Sequence, residues 1–392
     1  MALMNRLEVL LEAQTEYVVA MRREFHQNPE VSWQEIRTSA RIKEELDKAG
    51  IRWRAIAKTG ILATIEGGNP GKTVALRADM DALSVTELSD VSFKSRREGV
   101  MHACGHDGHA AMLLGTAKAL NAVKSELNGT VKLLFQPAEE LVEGAKLMIE
   151  EGALEGVDAI LGIHLWSDVA CGKINVQPGP RMASGDYVII DFYGKGGHGS
   201  MPNQTVDPVV VASEFIMGSQ TILSREKDPL ESVVFTIGEL KCGTRFNIIP
   251  EKAHLEGTLR CYGEEARDRF AEAIERHAVK TAETHRARAE VTIQRGTPAT
   301  ENDFILTEIV ADSARQIVGD SGLVALEKTT GSEDMAYYLK QIPGVMAFVG
   351  AGHADLQKNY PHHHPKFNID ERSLEIGMKL YFRFAYDFLN SN

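Results

Sequence analysis

The sequence is poor in several things that would each have pointed to a different kind of protein. It has four cysteines in 392 residues (Cys104, Cys171, Cys242 and Cys261), unpaired in spacing, so a disulfide framework is not expected. No apolar run approaches the roughly 20 residues that span a bilayer, so no membrane segment is expected. There is no basic excess: the net charge is −12. That removes nucleic acid as a default partner, since phosphate binding needs a basic face. No internal repeat and no low-complexity segment is visible. Residues 1–14 carry charges and lack a continuous apolar core, so no secretory signal is expected there and the expected compartment is the reducing cytoplasm.

What is present is a soluble globular composition, 43% hydrophobic and 25% charged, in a chain long enough for two domains. The densest chemistry is Met101-His-Ala-Cys-Gly-His-Asp-Gly-His109, three histidines, a cysteine and an aspartate in nine residues. Such a run is costly as plain core and suits a loop around a metal ion. Cys104 and His106 are the expected ligands; two apart on an extended loop, they would point to the same side. Taken alone, Cys104 would read as a small buried hydrophobe. His109 and Asp107 read as support for a helix start.

The elements alternate. Helices are expected over 4–28 and 34–49. Strands follow at 51–56, 61–66 and Thr73–Arg77, the last ending in Asp79-Met-Asp81. A helix over 110–127 precedes a strand at 130–135, which ends in Gln136-Pro-Ala-Glu139-Glu140. Another helix, 143–151, precedes a strand at 157–163 that ends at His164. This order implies an α/β domain with a mixed, mainly parallel sheet and helices on both faces. Asp79, Asp81, Glu139, Glu140 and His164 would then gather outside the carboxyl ends of strands, where open α/β sheets bind ligands. Near Arg181 the texture changes to β-α-β-β-α-β, which predicts an inserted ferredoxin-like α+β satellite domain. The expected division is 1–182 and 296–392 for the first domain and 183–295 for the satellite. The α/β texture then resumes, with Ser332 expected to cap a helix at 333–341, a strand at 345–349 and a last helix from after Asp370 to about 389.

Cys104, His106, Glu140, His164 and a late histidine together offer S, N and O donors. They favour Zn, Co, Ni or Mn over Mg and Ca, and they are numerous enough for two ions, though spacing does not decide between one and two. Adjacent residues of an extended chain point opposite ways, so one of Glu139 and Glu140 could bind metal while the other reaches water. The bland alternative is a solvated acidic pair at a helix start.

His102-Ala-Cys-Gly-His-Asp-Gly-His109, Gln136-Pro-Ala-Glu-Glu140, Gly197-His-Gly-Ser200, Phe246-Asn-Ile-Ile-Pro250, Gly331-Ser-Glu-Asp334 and His363-His-Pro365 occur in this order. Together they resemble the M20 metallopeptidase family, in its amidohydrolase branch of aminoacylases, hippurate hydrolases and auxin-conjugate hydrolases. The resemblance runs from Arg23-Glu-Phe-His26 to the last helix. It implies two divalent metal ions held by Cys104, His106, Glu140, His164 and His363, the last chosen over His362 and His364. It implies Glu139 as catalytic base, Asp81 beside the metal site, and His198 and Asn247 in contact with substrate, with His198 holding the developing oxyanion. The implied substrate is an N-acyl amino acid, and the implied assembly is a homodimer or higher homo-oligomer through the satellite domain. A dipeptidase or carboxypeptidase of the same family, or a scaffold that keeps metal and has lost catalysis, are the other readings. The sequence departs from the family at Ala82-Leu-Ser84, where many relatives have proline, at Met201-Pro-Asn203 and at Met335. None of these is an expected ligand.

Overall fold

The computed structural model describes residues 8–390. A short helix at 8–12 breaks at Ala13-Gln14 before α1 (Thr15–Gln27), so the first expected helix is two pieces; residues 4–7 of that expectation lie outside the described residues. There follow α2 (Ile36–Lys48), β1 (Arg52–Ile56), β2 (Gly60–Glu66), β3 (Asn69–Asp79), α3 (His106–Ala122), β4 (Asn128–Gln136), α4 (Gly144–Glu150), β5 (Ala159–Ala170) and the short β6 (Ile174–Asn175). Next come β7 (Asp186–Tyr193), α5 (Pro208–Thr221), β8 (Val233–Cys242), β9 (Lys252–Cys261), α6 (Glu264–Thr284) and β10 (Arg288–Gln294). The chain ends with α7 (Phe304–Val318), α8 (Met335–Leu339), β11 (Gly344–Gly352) and α9 (Arg372–Asn390).

Two compact units result. The first runs up to Gly179 and includes Glu301–Glu327 and everything from Glu333; the second is Pro180–Thr300 with Lys328–Ser332. The first is built on a seven-stranded sheet in the order β1-β2-β4-β3-β5-β11-β6. Its centre is parallel (β4 with β3, β3 with β5, β5 with β11) and its flanks are antiparallel. Alternate side chains feed two cores, as a pleated strand requires. Val74 and Leu76 of β3 join a large cluster with α1, α3 and α9, while Ala75 joins a smaller one with α4 and α8. Helices therefore cover both faces, which a parallel sheet needs. The parallel register aligns Asp79 with Gln136, so the ends of β3 and β4 share one rim.

Three local expectations are corrected. β5 does not stop at His164 but continues to Ala170, because β11 pairs alongside it past Phe348↔His164. α3 begins at His106 rather than near Ala110, behind Gly105 at φ 100°, a left-handed turn that glycine makes without strain. Ser332 does not cap α8: Asp334 is the residue before that helix, and the Ser332 hydroxyl accepts a hydrogen bond from Arg260 instead.

The second unit has the sheet order β8-β9-β7-β10, all antiparallel, with α5 and α6 on one face. Numbered within the unit, that is the 2-3-1-4 order of a ferredoxin-like sheet, as the β-α-β-β-α-β pattern predicts.

α3 runs through the first core with every residue from His106 to Ala117 buried. It has room for α1 and α9 only because Gly115 lacks a side chain: a Cβ there would run into Val18 and Met378. Gly115→Val is expected to lower unfolding free energy by about 1–3 kcal/mol. Urea denaturation measures it, and an unchanged midpoint would refute the close packing.

Candidate metal centre

The carboxyl-end rim of the central sheet carries the cluster. Cys104 lies just before α3, His106 starts it, and Glu139 and Glu140 follow β4. Neither pair has the extended geometry expected from sequence. Gly105 turns the chain between Cys104 and His106, and Ala138 at φ 51° turns it before the glutamates. The turns work differently from extended chain but bring the groups together. His106 Nε2 lies 4.0 Å from a carboxylate oxygen of Glu139 and 4.0 Å from one of Glu140. Ligand atoms of Cys104, His106 and Glu140 all lie within 4.8 Å of one another, and so do those of Cys104, His164 and His362. The two triads share the Cys104 thiol.

The tautomers are set by hydrogen bonds. His106 Nδ1 meets the Asp81 carbonyl at 3.0 Å and its carboxylate at 3.2 Å, so Nδ1 holds the proton and Nε2 is the free donor atom. Asp81 also accepts from Ser32 Oγ (2.6 Å) and from the Glu140 amide (3.1 Å). His164 Nδ1 donates to Leu165 O at 2.8 Å, leaving Nε2 towards Cys104 Sγ at 3.5 Å. An outer partner that fixes the ring and its tautomer is the usual surrounding of a metal-binding histidine.

Among the described residues, His106 Nε2 and Glu140 Oε1 are buried without a hydrogen-bond partner. Buried polar atoms rarely stay unpaired. Here they face each other across a space lined by thiol, imidazole and carboxylate, the donor set of a transition-metal ion. The residues therefore fit a bound divalent cation. The charge balance agrees. Burial, with Glu333, Asp334 and Glu140 nearby, holds Glu139 well above the usual carboxylate range. Burial pushes Glu140 up to about 7 against the opposing pull of His106. Burial lowers the His164 pKa far below that of free imidazole, which keeps the ring neutral.

The late histidines separate by their bonding. His363 Nε2 is 3.6 Å from Glu140 Oε1, and its backbone is held at φ 64° with its N–H on Ala103 O. His362 Nε2 accepts the Ser167 amide at 3.2 Å, so its proton sits on Nδ1, the atom 3.9 Å from Cys104 Sγ. In that tautomer His362 offers no lone pair to an ion beside Cys104, whereas His363 Nε2 points at Glu140.

Beneath the glutamates lies a group that sequence reasoning did not assign. Arg77, fully buried, pairs with Asp79 (2.6 Å), Asp334 (2.7 Å) and Glu333 (3.0 Å) and donates to Gln136 (2.8 Å). Asp334 also accepts from Gln136 and from the Ala145 amide, and burial raises its pKa to about 8. Asp79 holds His109 Nδ1 at 2.6 Å, and His109 Nε2 accepts the Leu165 amide, so His109 is saturated and structural. Asp79, Gln136 and the Gly331-Ser-Glu-Asp334 motif were visible in the sequence, but nothing there tied them to Arg77. Asp107 is likewise structural: its carboxylate receives Arg22 (2.9 Å) and His26 (2.8 Å).

His198 and Asn247 lie in the second unit, where the structure brings them together. Ile248 pairs with His198, and the Gly199 amide donates to Asn247 O at 2.9 Å. His198 is exposed, with Nδ1 2.8 Å from Ser200 Oγ. All four cysteines are free, and no helix among the described residues is long and apolar enough to cross a membrane.

Residues 75–387 match peptidase family M20/M25/M40. The chain is 38% identical to the N-acetylcysteine deacetylase of Bacillus subtilis (strain 168) over 94% of its own length and 96% of that protein. It is 38% identical to thermostable carboxypeptidase 2 of Saccharolobus solfataricus over the full length of both. The crystal structure of the Bacillus subtilis YXEP protein, described as a dinuclear metal-binding peptidase from the M20 family, superimposes with a TM-score of 0.85 and 35% identity, covering 97% of this chain and 100% of that one.

Replacing Arg77 would leave Asp79, Glu333 and Asp334 buried without their guanidinium. Arg77→Met is expected to lower stability by about 3–5 kcal/mol. Chemical denaturation in the presence of a chelator measures this, and a loss below about 1 kcal/mol would show the cluster is not held by Arg77.

Proposed function

The chain belongs to peptidase family M20/M25/M40 and is a metal-dependent amidohydrolase of that family, and from this we propose that it cleaves the amide bond of N-acyl amino acids with Glu139 as general base. The observation that carries the reading is the convergence of both glutamates on His106 Nε2, whose other nitrogen Asp81 holds. Cys104, His106, Glu140, His164 and His363 are the proposed ligands of two divalent ions, with Zn, Mn, Co and Ni as the candidates for this donor set. Bound there, such ions supply Lewis acidity for the amide carbonyl and acidify water.

The chain's own groups do the rest. Among the described residues no lysine or arginine pairs with Glu139, and its side chain accepts one long hydrogen bond, 3.4 Å, from the Asp334 amide. It takes the proton of the attacking water and delivers it to the leaving nitrogen. Cations nearby would bring its raised pKa down towards that task, since opposite charge favours the ionised form. His198 donates a hydrogen bond to the developing oxyanion, and Asn247 contacts the substrate. The deacetylase relative supports the acyl-amino-acid reading. The carboxypeptidase relative supports a second reading, cleavage of peptides from the carboxyl end. Exposed Val209, Val210 and Met217 of α5 and Leu240 of edge strand β8 support a homodimer formed through the second unit.

Metal-loaded protein assayed on N-acetyl, N-benzoyl and indole-acyl amino acids beside dipeptides decides the substrate. The expected outcome is a kcat/KM at least about tenfold higher for one acyl class, which is within reach of contacts with a single acyl group. A preference for dipeptides selects the second reading, and no turnover of any amide points to a scaffold. Glu139→Gln is expected to keep its metal content by elemental analysis and to lose at least about 100-fold in kcat; wild-type turnover would remove Glu139 from the chemistry. For the assembly, Met217→Lys with Leu240→Lys is expected to turn a dimer into a monomer by analytical ultracentrifugation, and a wild-type monomer would rule the dimer out.

A further inference from the structure

The turn that aims Glu139 and Glu140 depends on a carboxylate 103 residues earlier. Ala138 sits at φ 51°, a left-handed conformation that costs free energy for any residue with a Cβ. It is also fully buried, so its amide needs a partner inside the protein. That partner is Glu35 Oε1, at 2.9 Å. Glu35 is itself fully buried, and its remaining capacity is filled locally: Oε1 accepts the Trp33 amide at 3.0 Å and Oε2 accepts Thr59 Oγ1 at 2.7 Å. On its far side the Ala138 carbonyl accepts the amides of Glu143 (3.3 Å) and Gly144 (3.2 Å), so the residue is gripped at both ends.

The short segment before Glu35 grips the other half of the site. Ala82 N donates to Glu30 O at 2.8 Å, Val31 pairs with Ala82, and Ser32 Oγ donates to Asp81 Oδ2. The same Asp81 oxygen receives the Glu140 amide. Residues 30–35 thus touch both the Asp81 loop, which orients His106, and the glutamate turn, yet neither Glu30 nor Glu35 belongs to the gathered ligand groups.

We propose that Glu35 is a positioning residue: by accepting the Ala138 amide it holds the left-handed turn that places Glu139 and Glu140 within reach of His106 and the metal. The inference rests on the roles given above to Glu139 and Glu140. It also assigns the Asn28-Pro-Glu-Val-Ser-Trp-Gln-Glu35 stretch a function that its distance from the cluster in sequence conceals. A group displaced by about 1 Å from its productive place costs on the order of 100-fold in rate, so a loosened turn should be visible in kinetics.

The test uses the full-length metal-loaded protein and the substrate it turns over best. Glu35→Met fills the same space and cannot accept the Ala138 amide. Its kcat is expected to fall about 30-fold with KM within about twofold. Its affinity for Co(II), read from thiolate-to-cobalt charge-transfer absorption, is expected to weaken about tenfold. Glu35→Gln keeps an acceptor oxygen in place and is expected to retain about half of the wild-type kcat. Adding Ala138→Gly to Glu35→Met is expected to recover at least about fivefold in both readouts, because glycine adopts φ near 51° without needing a clamp.

A residue that merely stabilised the fold would behave differently. The double variant would then be slower than Glu35→Met, or Glu35→Gln would be as damaged as Glu35→Met; either result overturns the proposal. Should Glu35→Met not fold, Glu35→Ala replaces it, and failure of both to fold assigns Glu35 to the fold and overturns the proposal too. The two readings fail separately. An active Glu139→Gln removes the base while leaving the Co(II) arm of this test standing. Unchanged kcat and Co(II) affinity in Glu35→Met, with Glu139→Gln inactive, removes the clamp alone.

Discussion

A single buried guanidinium sets the conditions for the rest of the first unit. Arg77 lies on β3, in the middle of a parallel sheet, where a charge is costly unless fully partnered. Its partners come from its own strand end (Asp79), the end of β4 (Gln136) and the segment before α8 (Glu333 and Asp334). Each partner in turn fixes something nearer the ligands. Asp79 holds His109 against the Leu165 amide, beside His164. Asp334 reaches the Ala145 amide at the start of α4 and stands under Glu139. The site can hold so many acids at the rim because a cation anchors the layer below them, and because a metal would complete the balance above.

The sequence carried the parts of this architecture that are periodic or contiguous. Strand and helix alternation, the change of texture near Arg181 and the Cys104-Gly-His106 and Glu139-Glu140 pairs are all local patterns. They were enough to expect the candidate ligands on one rim, through the rule that strand ends converge. They were not enough to give the local geometry. Extended chain was expected at both pairs, and a left-handed turn is found at each, once at Gly105 and once at Ala138. A glycine announces such a turn. An alanine does not, because what keeps it there is Glu35, far away in the chain.

The same limit explains the residues that were missed. Arg77 and Asp334 are 257 positions apart, and nothing periodic links them. Ser332 looked like a helix cap from its neighbours alone, but Arg260 takes its hydroxyl. Among His362, His363 and His364 the family resemblance alone favoured His363; the structure adds which ring nitrogen already has a partner. Long-range hydrogen bonds, rather than propensity, decide each of these.

The placement of β11 bears on how the chain assembles during synthesis. It lies between β5 and β6, yet it is not made until residue 352. Arg22 finds its partners Asn368 and Glu371 only after 346 and 349 further residues have been made. The second unit takes nearly all of its residues from one continuous stretch, so it can close on itself while the surrounding unit still waits with the edge of β5 bare. A nascent chain of this kind exposes the apolar edge of β5 from residue 170 until β11 is made at Gly344–Gly352. Synthesis halted between Gly352 and His363 would leave Cys104 and His106 without His363 to meet them.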